Sequence, residues 1–322
     1  MNNISIVIPV FNSEKTIGKT IEACLAQSYP SDKIEIILVD DNSTDRTSEI
    51  AKKYPVKYLH QTHGGPAKAR NTGWRAAKGE IIFFTDSDCV PEKDWVKKMT
   101  AFFDAYDIAA IGGSYDIMNP ESIVALCIHY EIQYRHSMIP EFVKYLGSFN
   151  IAVKKSVLQE VGGFDESFKI ACGEDADLAY RISDKSYRLR FCPENRVGHF
   201  FPTHLIGFLK QQFMRGFWIM KLLQKHSGKL GKDDYSRTRD VIQPPLYFLI
   251  MLLIPFCFIS SMLSKIWLVL NLAGILIHYP VVKFSLEKSR KLKLLFIFIL
   301  LYLRGFYWAA GCFVGFFKFR KL

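Results

Sequence analysis

The sequence has no pair of cysteines spaced for a metal site or a disulfide framework. Its seven cysteines are scattered, without a Cys-x-x-Cys pair or the spacing of a zinc site. We therefore expect reduced thiols in a cytoplasmic environment. Nor do the first residues show the basic region and apolar stretch of a secretory signal. From this absence we expect the N-terminal domain to stay in the cytosol.

Several fingerprints of other enzyme classes are also missing. No Gly-x-Gly-x-x-Gly follows the first apolar run and no P-loop sequence occurs, which argues against a dehydrogenase and a P-loop NTPase. No pattern supports Ser/His/Asp catalysis. The basic residues do not form the aromatic-interleaved surface of a known nucleic-acid module.

The composition is apolar and basic. Of 322 residues, 49% are hydrophobic and 14% aromatic, and 42 Lys and Arg outnumber 31 Asp and Glu to give a net charge of +11. A chain this apolar buries a large core, which excludes disorder. The positive balance suits a nucleic acid, an anionic membrane surface or a phosphorylated substrate.

The first part of the chain alternates short apolar runs with amphipathic segments, the pattern of an α/β fold with a parallel sheet. A buried strand is predicted at Ile4–Val10, and further strands at Ile34–Val39, Val56–Leu59 and Glu80–Thr85. Helices are predicted at Thr16–Gln27, Ser48–Lys53 and Pro66–Ala77. In the first helix, Ile17, Ile21 and Leu25 share one face, and Ser13 is the predicted N-cap.

Acidic residues follow two of these strands. Asp40 and Asp41 end the second strand, and Asp86 and Asp88 end the fourth. Because an open parallel sheet binds ligands at the carboxyl ends of its strands, we expect these acids to share one cleft. Two carboxylates spaced i, i+2 suit Mg²⁺ or a similar ion that also binds phosphate oxygens. A polar turn that caps a helix is the alternative.

The last quarter of the chain contains three long apolar segments. Val241–Ser264, Ile266–Val282 and Leu294–Phe317 are about 17 to 24 residues long, enough to span a bilayer as helices. We predict a first domain over 1–220, an interfacial linker over 221–243 and a membrane domain over 244–322. Its spans are predicted at about 244–264, 266–282 and 294–317.

Basic residues indicate how these spans are oriented. Lys283–Lys293 is rich in Lys and Arg, which the positive-inside rule places in the cytoplasm together with the first domain. The first two spans then form a hairpin around Lys265. Lys318, Arg320 and Lys321 conflict with a third crossing. A true third span therefore stays open beside a re-entrant turn or an interfacial helix, which Arg304-Gly305 suggests.

Ordered motifs over roughly residues 4 to 220 resemble the family 2 glycosyltransferases, which are inverting nucleotide-sugar enzymes. The motifs are Ser5–Asn12, Ile36–Asp45, Gly65–Asn71, Asp86/Asp88, Gly147–Asn150, Gly162–Asp165 and Gly173–Asp177. The resemblance implies a GT-A fold, a Rossmann-like mixed sheet with helices on both faces, followed here by transmembrane helices. It also implies a Mn²⁺ or Mg²⁺ cofactor.

The resemblance implies roles for residues of the donor site. Pro9, Val10 and Asn12 would bind the nucleotide, with the first two lining the base pocket. Asp41 would accept a hydrogen bond from the nucleobase, and Asp40 would support its turn.

Other matched residues would bind the rest of the donor. Asp86 would contact the ribose, and Asp88 would hold the metal. Lys68 and Arg70 would meet the diphosphate or ribose, unless they form a solvated helix face.

The family motif also implies a general base, Asp175, with Glu174 beside it. A sugar hydroxyl needs such a carboxylate to take its proton as the anomeric carbon is attacked. The same acids suit the first turn of a helix, and the two roles are compatible. His199 has the spacing of a metal ligand in some GT-A enzymes, although a structural histidine is the favoured interpretation.

Gln212–Arg215 is similar to the Gln-x-x-Arg-Trp element of processive family members. Here Gly216 and Phe217 stand between Arg215 and Trp218, which puts polymerising activity in doubt. Arg215 is still predicted to contact the diphosphate. The alternative is an amphipathic helix on the headgroups. Its predicted apolar residues are Phe200, Phe201, Leu205, Phe208, Leu209, Phe213 and Trp218.

The sequence therefore predicts a membrane-anchored, metal-dependent inverting glycosyltransferase with a cytoplasmic catalytic domain. Its donor would be a nucleotide-diphosphate sugar and its acceptor a lipid-linked or membrane-associated glycan. A sugar transferase of the dolichyl-phosphate mannose synthase type, with polyprenyl phosphate as acceptor, is one alternative. A non-catalytic nucleotide-sugar-binding membrane protein is another, and Arg304 within an apolar segment keeps it open.

Overall fold

The computed structural model describes residues 2–103, 107–229, 234 and 238–320. The strands are β1 (Ile4–Val10), β2 (Ile34–Asp40), β3 (Lys57–His60), β4 (Ile81–Thr85), β5 (Cys89–Pro91), β6 (Ile108–Ile117), β7 (Phe142–Val143), β8 (Asn150–Lys154) and β9 (Arg188–His199). The helices are α1 (Ile17–Leu25), α2 (Thr47–Ala51), α3 (Pro66–Ala76), α4 (Trp95–Thr100), α5 (Ile123–His136), α6 (Lys155–Val161), α7 (Glu174–Asp184), α8 (Leu205–Lys225), α9 (Thr238–Leu253), α10 (Ser261–Leu276), α11 (Tyr279–Ser289) and α12 (Phe296–Phe319).

The chain divides into two compact units. The first comprises Met1–Met118 and Ile139–Phe200, and the second comprises Asn119–Met138 and Phe201–Leu322. The strands all fall in the first unit, and the candidate membrane helices fall in the second. The boundaries proposed from the sequence, with a first domain over 1–220, remain a prediction.

The first unit contains a mixed sheet in the order β3-β2-β1-β4-β8-β6-β9-β5, with β7 paired to β9. β1 to β4 are parallel, as the sequence predicts. β8 runs antiparallel to its neighbours β4 and β6. The carboxyl ends of β2 and β4 therefore flank the end of β1.

Apolar clusters cover both faces of this sheet. Ile6 and Ile8 of β1 belong to one cluster and Val7 to the other, and β4 divides Phe83 and Phe84 in the same way. Strands buried on both faces are apolar throughout rather than alternating with polar residues. This burial explains why these strands are recognisable in the sequence.

Helix α1 corrects two details of the prediction. It buries Ile17, Ile21 and Cys24, but Leu25 is 43% exposed. Leu25 is the last residue of α1 and lies about 100° around the helix from Cys24, beyond the buried face. Ser13 does not cap the helix with its hydroxyl. Its carbonyl oxygen instead accepts the backbone N–H of Ile17 at 3.0 Å.

The second unit has three segments long and apolar enough to cross a membrane. They are Thr238–Phe258, Ser261–Ser289 and Leu292–Phe319. The hairpin predicted around Lys265 turns earlier, at Ile259–Ser260, and Lys265 lies inside α10. The Ser260 hydroxyl accepts the backbone N–H of Leu263 and thereby caps α10.

Helix α12 settles one of the sequence alternatives. It continues over 24 residues without interruption, so the re-entrant turn considered at Arg304-Gly305 does not form in this described segment. Arg304 is instead buried, with 3% of its surface exposed.

Helices α8 and α12 pack with their backbones in contact. A Cβ atom on Gly311 would lie 2.0 Å from the carbonyl oxygen of Phe213, and one on Gly315 would lie 2.4 Å from that of Phe217. Gly216 on α8 meets the backbone of α12 in the same way. Small residues that allow such close approach are typical of helix pairs in membranes. Of the predicted amphipathic helix, Phe200 and Phe201 precede α8 rather than belonging to it.

Candidate active site

The acids after β2 form hydrogen bonds inside the loop that follows. Asp41 is 3% exposed, and its carboxylate accepts the backbone N–H groups of Gly64 at 2.9 Å and Gly65 at 2.8 Å. Gly65 has φ +91°, and a Cβ there would lie 2.5 Å from the carbonyl oxygen of Lys169, so glycine is required. Asp41 thus fixes the turn into α3. Its predicted bond to a nucleobase remains a prediction.

Asp40 forms a second set of contacts. Its Oδ1 accepts the backbone N–H of Ser43 at 2.8 Å, and its Oδ2 accepts the hydroxyl of Tyr58 at 2.6 Å. The side chain is 1% exposed. Asp40 therefore stabilises the loop between β2 and α2 from inside the fold.

The predicted base-pocket residues lie at the end of β1. Pro9 and Val10 are buried, whereas Asn12 is exposed with φ 48°. The Asn12 Oδ1 accepts the backbone N–H of Thr44 at 2.8 Å. Phe11 is 46% exposed and lies with its ring centroid 4.6 Å from that of His63. An exposed aromatic pair beside the Asp41 turn was not singled out in the sequence.

The two basic residues of α3 lie in different surroundings. Lys68 is partly exposed, and its Nζ donates to the carbonyl oxygen of Thr62 at 3.3 Å. Arg70 is 1% exposed, so the solvated-face interpretation is wrong for this residue. Its NH1 donates to Glu174 Oε1 at 2.8 Å, and its NH2 donates to Asp86 Oδ1 at 2.7 Å. Arg70 therefore joins the acid after β4 to the acid that begins α7.

The predicted catalytic pair lies in the first turn of α7. Glu174 is 2% exposed. Burial and the neighbouring Asp175 raise its pKa, the Arg70 guanidinium opposes them, and the balance stands at about 7. The Asp175 Oδ1 accepts the backbone N–H of Ala176 at 2.8 Å, and its Oδ2 accepts the hydroxyl of Tyr145 at 2.9 Å. Asp175 is thus held on both oxygens. Tyr145 was not identified from the sequence, where only its nearness to Gly147–Asn150 marks it.

Three potential metal ligands come together where β5 pairs with β9. The antiparallel register sets Cys89 opposite His199, and the ligand atoms of Asp88, Cys89 and His199 lie within 4.8 Å of one another. His199 Nε2 is 3.4 Å from Asp88 Oδ2. Burial raises the pKa of the Cys89 thiol well above its usual value, so it is a poor ligand. A carboxylate and an imidazole fit Mn²⁺.

Arg215 belongs to the second unit. It is exposed on α8, directly before the Gly216 that contacts α12. Its predicted contact with a diphosphate remains a prediction.

The chain is similar in sequence to known glycosyltransferases. Residues 5–161 match the family described as "Glycosyl transferase family 2". The chain is similar to glycosyltransferase AglE of Haloferax volcanii, at 29% identity over 66% of this chain and 71% of AglE. It is also similar to the probable glycosyltransferase YdaM of Bacillus subtilis, at 28% identity over 59% of this chain and 49% of YdaM. The chain thus spans about half the length of YdaM.

A solved structure covers nearly the whole chain. The chain is similar to the mannosyltransferase PcManGT from Pyrobaculum calidifontis, solved in complex with GDP-Man and Mn²⁺. The match covers 98% of this chain and 88% of PcManGT, with a TM-score of 0.62 and 20% identity. At this identity the likeness establishes the fold.

Proposed function

The chain carries a glycosyl transferase family 2 domain with the GT-A fold, and from this premise we propose that it transfers a sugar from a nucleotide-diphosphate donor to a lipid-linked or membrane-associated glycan, with inversion. The family and fold predicted from the sequence motifs are thereby confirmed. The bridge from Asp86 through Arg70 to Glu174 is the observation that carries the proposal. It ties the acids of the predicted donor site to the acids of the predicted base.

Asp88 and His199 would hold a divalent metal ion. When bound, Mn²⁺ or Mg²⁺ supplies positive charge that stabilises the departing diphosphate. The carboxylate and imidazole donors support this assignment, as does the Mn²⁺ in the complex of PcManGT. Pro9, Val10, Asn12 and Asp41 would bind the nucleoside, with Asp86 at its ribose. Lys68, Arg70 and Arg215 stay as proposed ligands of the donor.

Asp175 would act as the general base. Its Oδ2 would take the proton of the acceptor hydroxyl while the acceptor oxygen attacks the anomeric carbon from the face opposite the diphosphate. Tyr145 and the Ala176 backbone restrict the carboxylate to one orientation. Orientation of this kind supports a single displacement, which inverts the anomeric configuration.

The acceptor is proposed from the second unit. Three helices that could cross a membrane favour an acceptor delivered at the membrane. The basic residues of Lys283–Lys293 support a catalytic domain on the cytoplasmic side by the positive-inside rule.

The metal assignment is tested on the purified full chain in detergent. UDP-, GDP- and dTDP-sugars are screened with Mn²⁺ or Mg²⁺ for release of the nucleoside diphosphate. Asp88→Asn should lower turnover by about 100-fold or more, because it removes a charge that holds the metal. Asp184→Asn, the same substitution at the exposed end of α7, is the control and should leave turnover unchanged. Wild-type turnover by Asp88→Asn would overturn the metal assignment.

The base assignment is tested with two acceptors. Asp175→Asn should lose at least about 100-fold in rate on a glycan hydroxyl. A polyprenyl phosphate already carries an anionic oxygen, so the variant should keep its rate there if that compound is the true acceptor. Full activity on the hydroxyl acceptor would refute the role of Asp175. Absence of nucleotide binding in isothermal titration, with and without Mn²⁺, would favour a non-catalytic protein.

A further inference from the structure

Five charged side chains form a buried ionic cluster in the second unit. The cluster comprises Glu131 and Arg135 of α5, Arg239 and Asp240 of α9, and Arg304 of α12. Glu131, Arg135, Asp240 and Arg304 each expose 7% of their surface or less, and the side chain of Arg239 exposes 11%. Charged side chains are rarely buried among apolar helices without a functional reason.

The two acids pair with the three guanidinium groups. Arg135 donates to both oxygens of Asp240, at 2.7 and 2.8 Å. Glu131 Oε1 accepts from Arg135, from Arg304 at 3.1 Å and from Arg239 at 3.4 Å. Burial would raise the pKa of Glu131, but Arg135, Arg304 and Arg239 together lower it below its usual range. Glu131 is therefore ionised.

The cluster has more positive charge and more donors than its acids can satisfy. Among the residues that the structure describes, three guanidinium groups face two carboxylates, which leaves one positive charge in excess. Four buried N–H groups have no hydrogen-bond partner among the described residues: Arg239 Nε and NH1, Arg304 Nε, and Nε2 of the adjacent Gln243. Water could satisfy the donors, but it would leave the buried charge uncompensated.

The position of the α9 residues at the cluster indicates where a compensating ligand comes from. Asp240 and Gln243 are the third and sixth residues of the candidate span Thr238–Phe258. At about 1.5 Å per residue, both lie within roughly 9 Å of its beginning. For Asp240 and Gln243 this depth is close to the thickness of the headgroup layer of a bilayer. Arg304 lies further along its own candidate span, Leu292–Phe319, and meets this layer through its hydrogen bond to Gln243.

We propose that the ionic cluster binds the phosphodiester group of an anionic phospholipid. A phosphodiester carries one negative charge, which equals the excess of the cluster, and its oxygens accept several hydrogen bonds from guanidinium groups. The headgroup of a zwitterionic lipid brings its own cation and does not neutralise the site. The ligand is a component of the membrane, separate from the proposed donor and acceptor.

Two variants remove the charge excess by different routes. Arg239→Gln leaves two guanidinium groups facing two carboxylates. Gln243→Glu adds an internal anion at a residue whose Oε1 already accepts from Arg304 NH2 at 3.2 Å. Neither variant leaves an unpaired carboxylate, so both should fold. Lys283→Gln is the matched control, since it removes one exposed charge outside the cluster.

The full chain is reconstituted in nanodiscs of phosphatidylcholine with or without phosphatidylglycerol, and lipid retention and Tm are measured. Wild type and Lys283→Gln should retain phosphatidylglycerol and gain Tm from it. Arg239→Gln and Gln243→Glu should bind that lipid at least about tenfold more weakly, since each removes the charge match. Inorganic phosphate added to phosphatidylcholine nanodiscs distinguishes the sources, because an equal gain in Tm there assigns the site to free phosphate. Equal lipid retention by wild type and both cluster variants would overturn the proposal. So would an equal loss in Lys283→Gln, or no gain from either anion.

Discussion

Replacing Arg70 with methionine tests whether its guanidinium holds the two acidic parts of the site together. The substitution replaces the guanidinium with an unbranched apolar side chain and leaves Glu174, which is 2% exposed, without its cation. Asp86 has 30% of its side chain exposed, so water can replace the Arg70 guanidinium as its hydrogen-bond partner. Breaking a buried ion pair by removing one partner costs about 3–5 kcal/mol. The lower end is expected here, since Glu174 can take up a proton.

The cost depends on pH through Glu174. Its folded pKa of about 7 lies above the ordinary value of 4.5, so the stability contributed by its protonated form is lost as pH rises through the folded pKa. Without Arg70 that pKa rises further. At pH 6, Glu174 is protonated in both proteins, so its titration adds little to the difference in stability between the variant and wild type. At pH 8.5 the variant should lose about 2 kcal/mol more, because each pH unit above the wild-type pKa is worth about 1.4 kcal/mol.

Thermal unfolding of the full chain in detergent measures both effects. At about 2–4 °C per kcal/mol, a loss of 3 kcal/mol lowers Tm by roughly 6–12 °C at pH 8.5. Arg75→Met on the same helix is the control. Arg75 pairs with Glu166 at 3.2 Å, with 54% and 37% of the two side chains exposed, and should cost less than about 1 kcal/mol at either pH.

Two results would refute the reasoning about Arg70. One is the same loss of Tm at pH 6 and pH 8.5. The other is a double variant, Arg70→Met with Glu174→Gln, that is no more stable at pH 8.5 than Arg70→Met alone, because the glutamine removes the charge held responsible.

Three further substitutions test other contacts. Tyr145→Phe removes the hydroxyl that donates to Asp175 at 2.9 Å and should lower kcat about 3- to 10-fold with the donor KM unchanged; a changed KM with constant kcat would contradict a positioning role. His199→Gln should raise the Mn²⁺ concentration needed for half-maximal turnover by at least about tenfold, and an unaltered titration would leave His199 structural. Gly311→Ala should cost about 1–3 kcal/mol or more, since its Cβ would lie 2.0 Å from a facing carbonyl oxygen. Gly207→Ala on α8, with nothing within 4 Å, is its control, and equal Tm values would show that the two helices separate freely.

Local pattern is sufficient for β1 and β4 in the parallel half of the sheet. β1 was predicted with its observed bounds, and β4 within one residue, because strands buried on both faces consist of apolar runs. The charge pattern predicts the turn between the first two spans at the wrong position. Lys265 is the one charge between two apolar segments, yet the helix is capped at Ser260, and the cap signal was the better guide.

The acids of the site were also predictable from the sequence, but their hydrogen-bond partners were not. The motifs identify Asp86, Glu174 and Asp175 as parts of one site. The contact of Arg70 with Glu174 joins residues 104 positions apart, and that of Tyr145 with Asp175 depends on how a loop packs against α7. Such contacts come from tertiary packing, which periodicity and spacing do not encode.

The contact between α8 and α12 imposes an order on biosynthesis. About ninety residues separate the end of α8 at Lys225 from the end of α12 at Phe319. At about 5–20 residues per second, the ribosome needs roughly 5 to 20 seconds to supply the second helix. During this interval, the aromatic side chains around Gly216 are not packed against α12, and chaperones can bind them. Nascent α8 therefore stays without its packing partner until α12 has been translated.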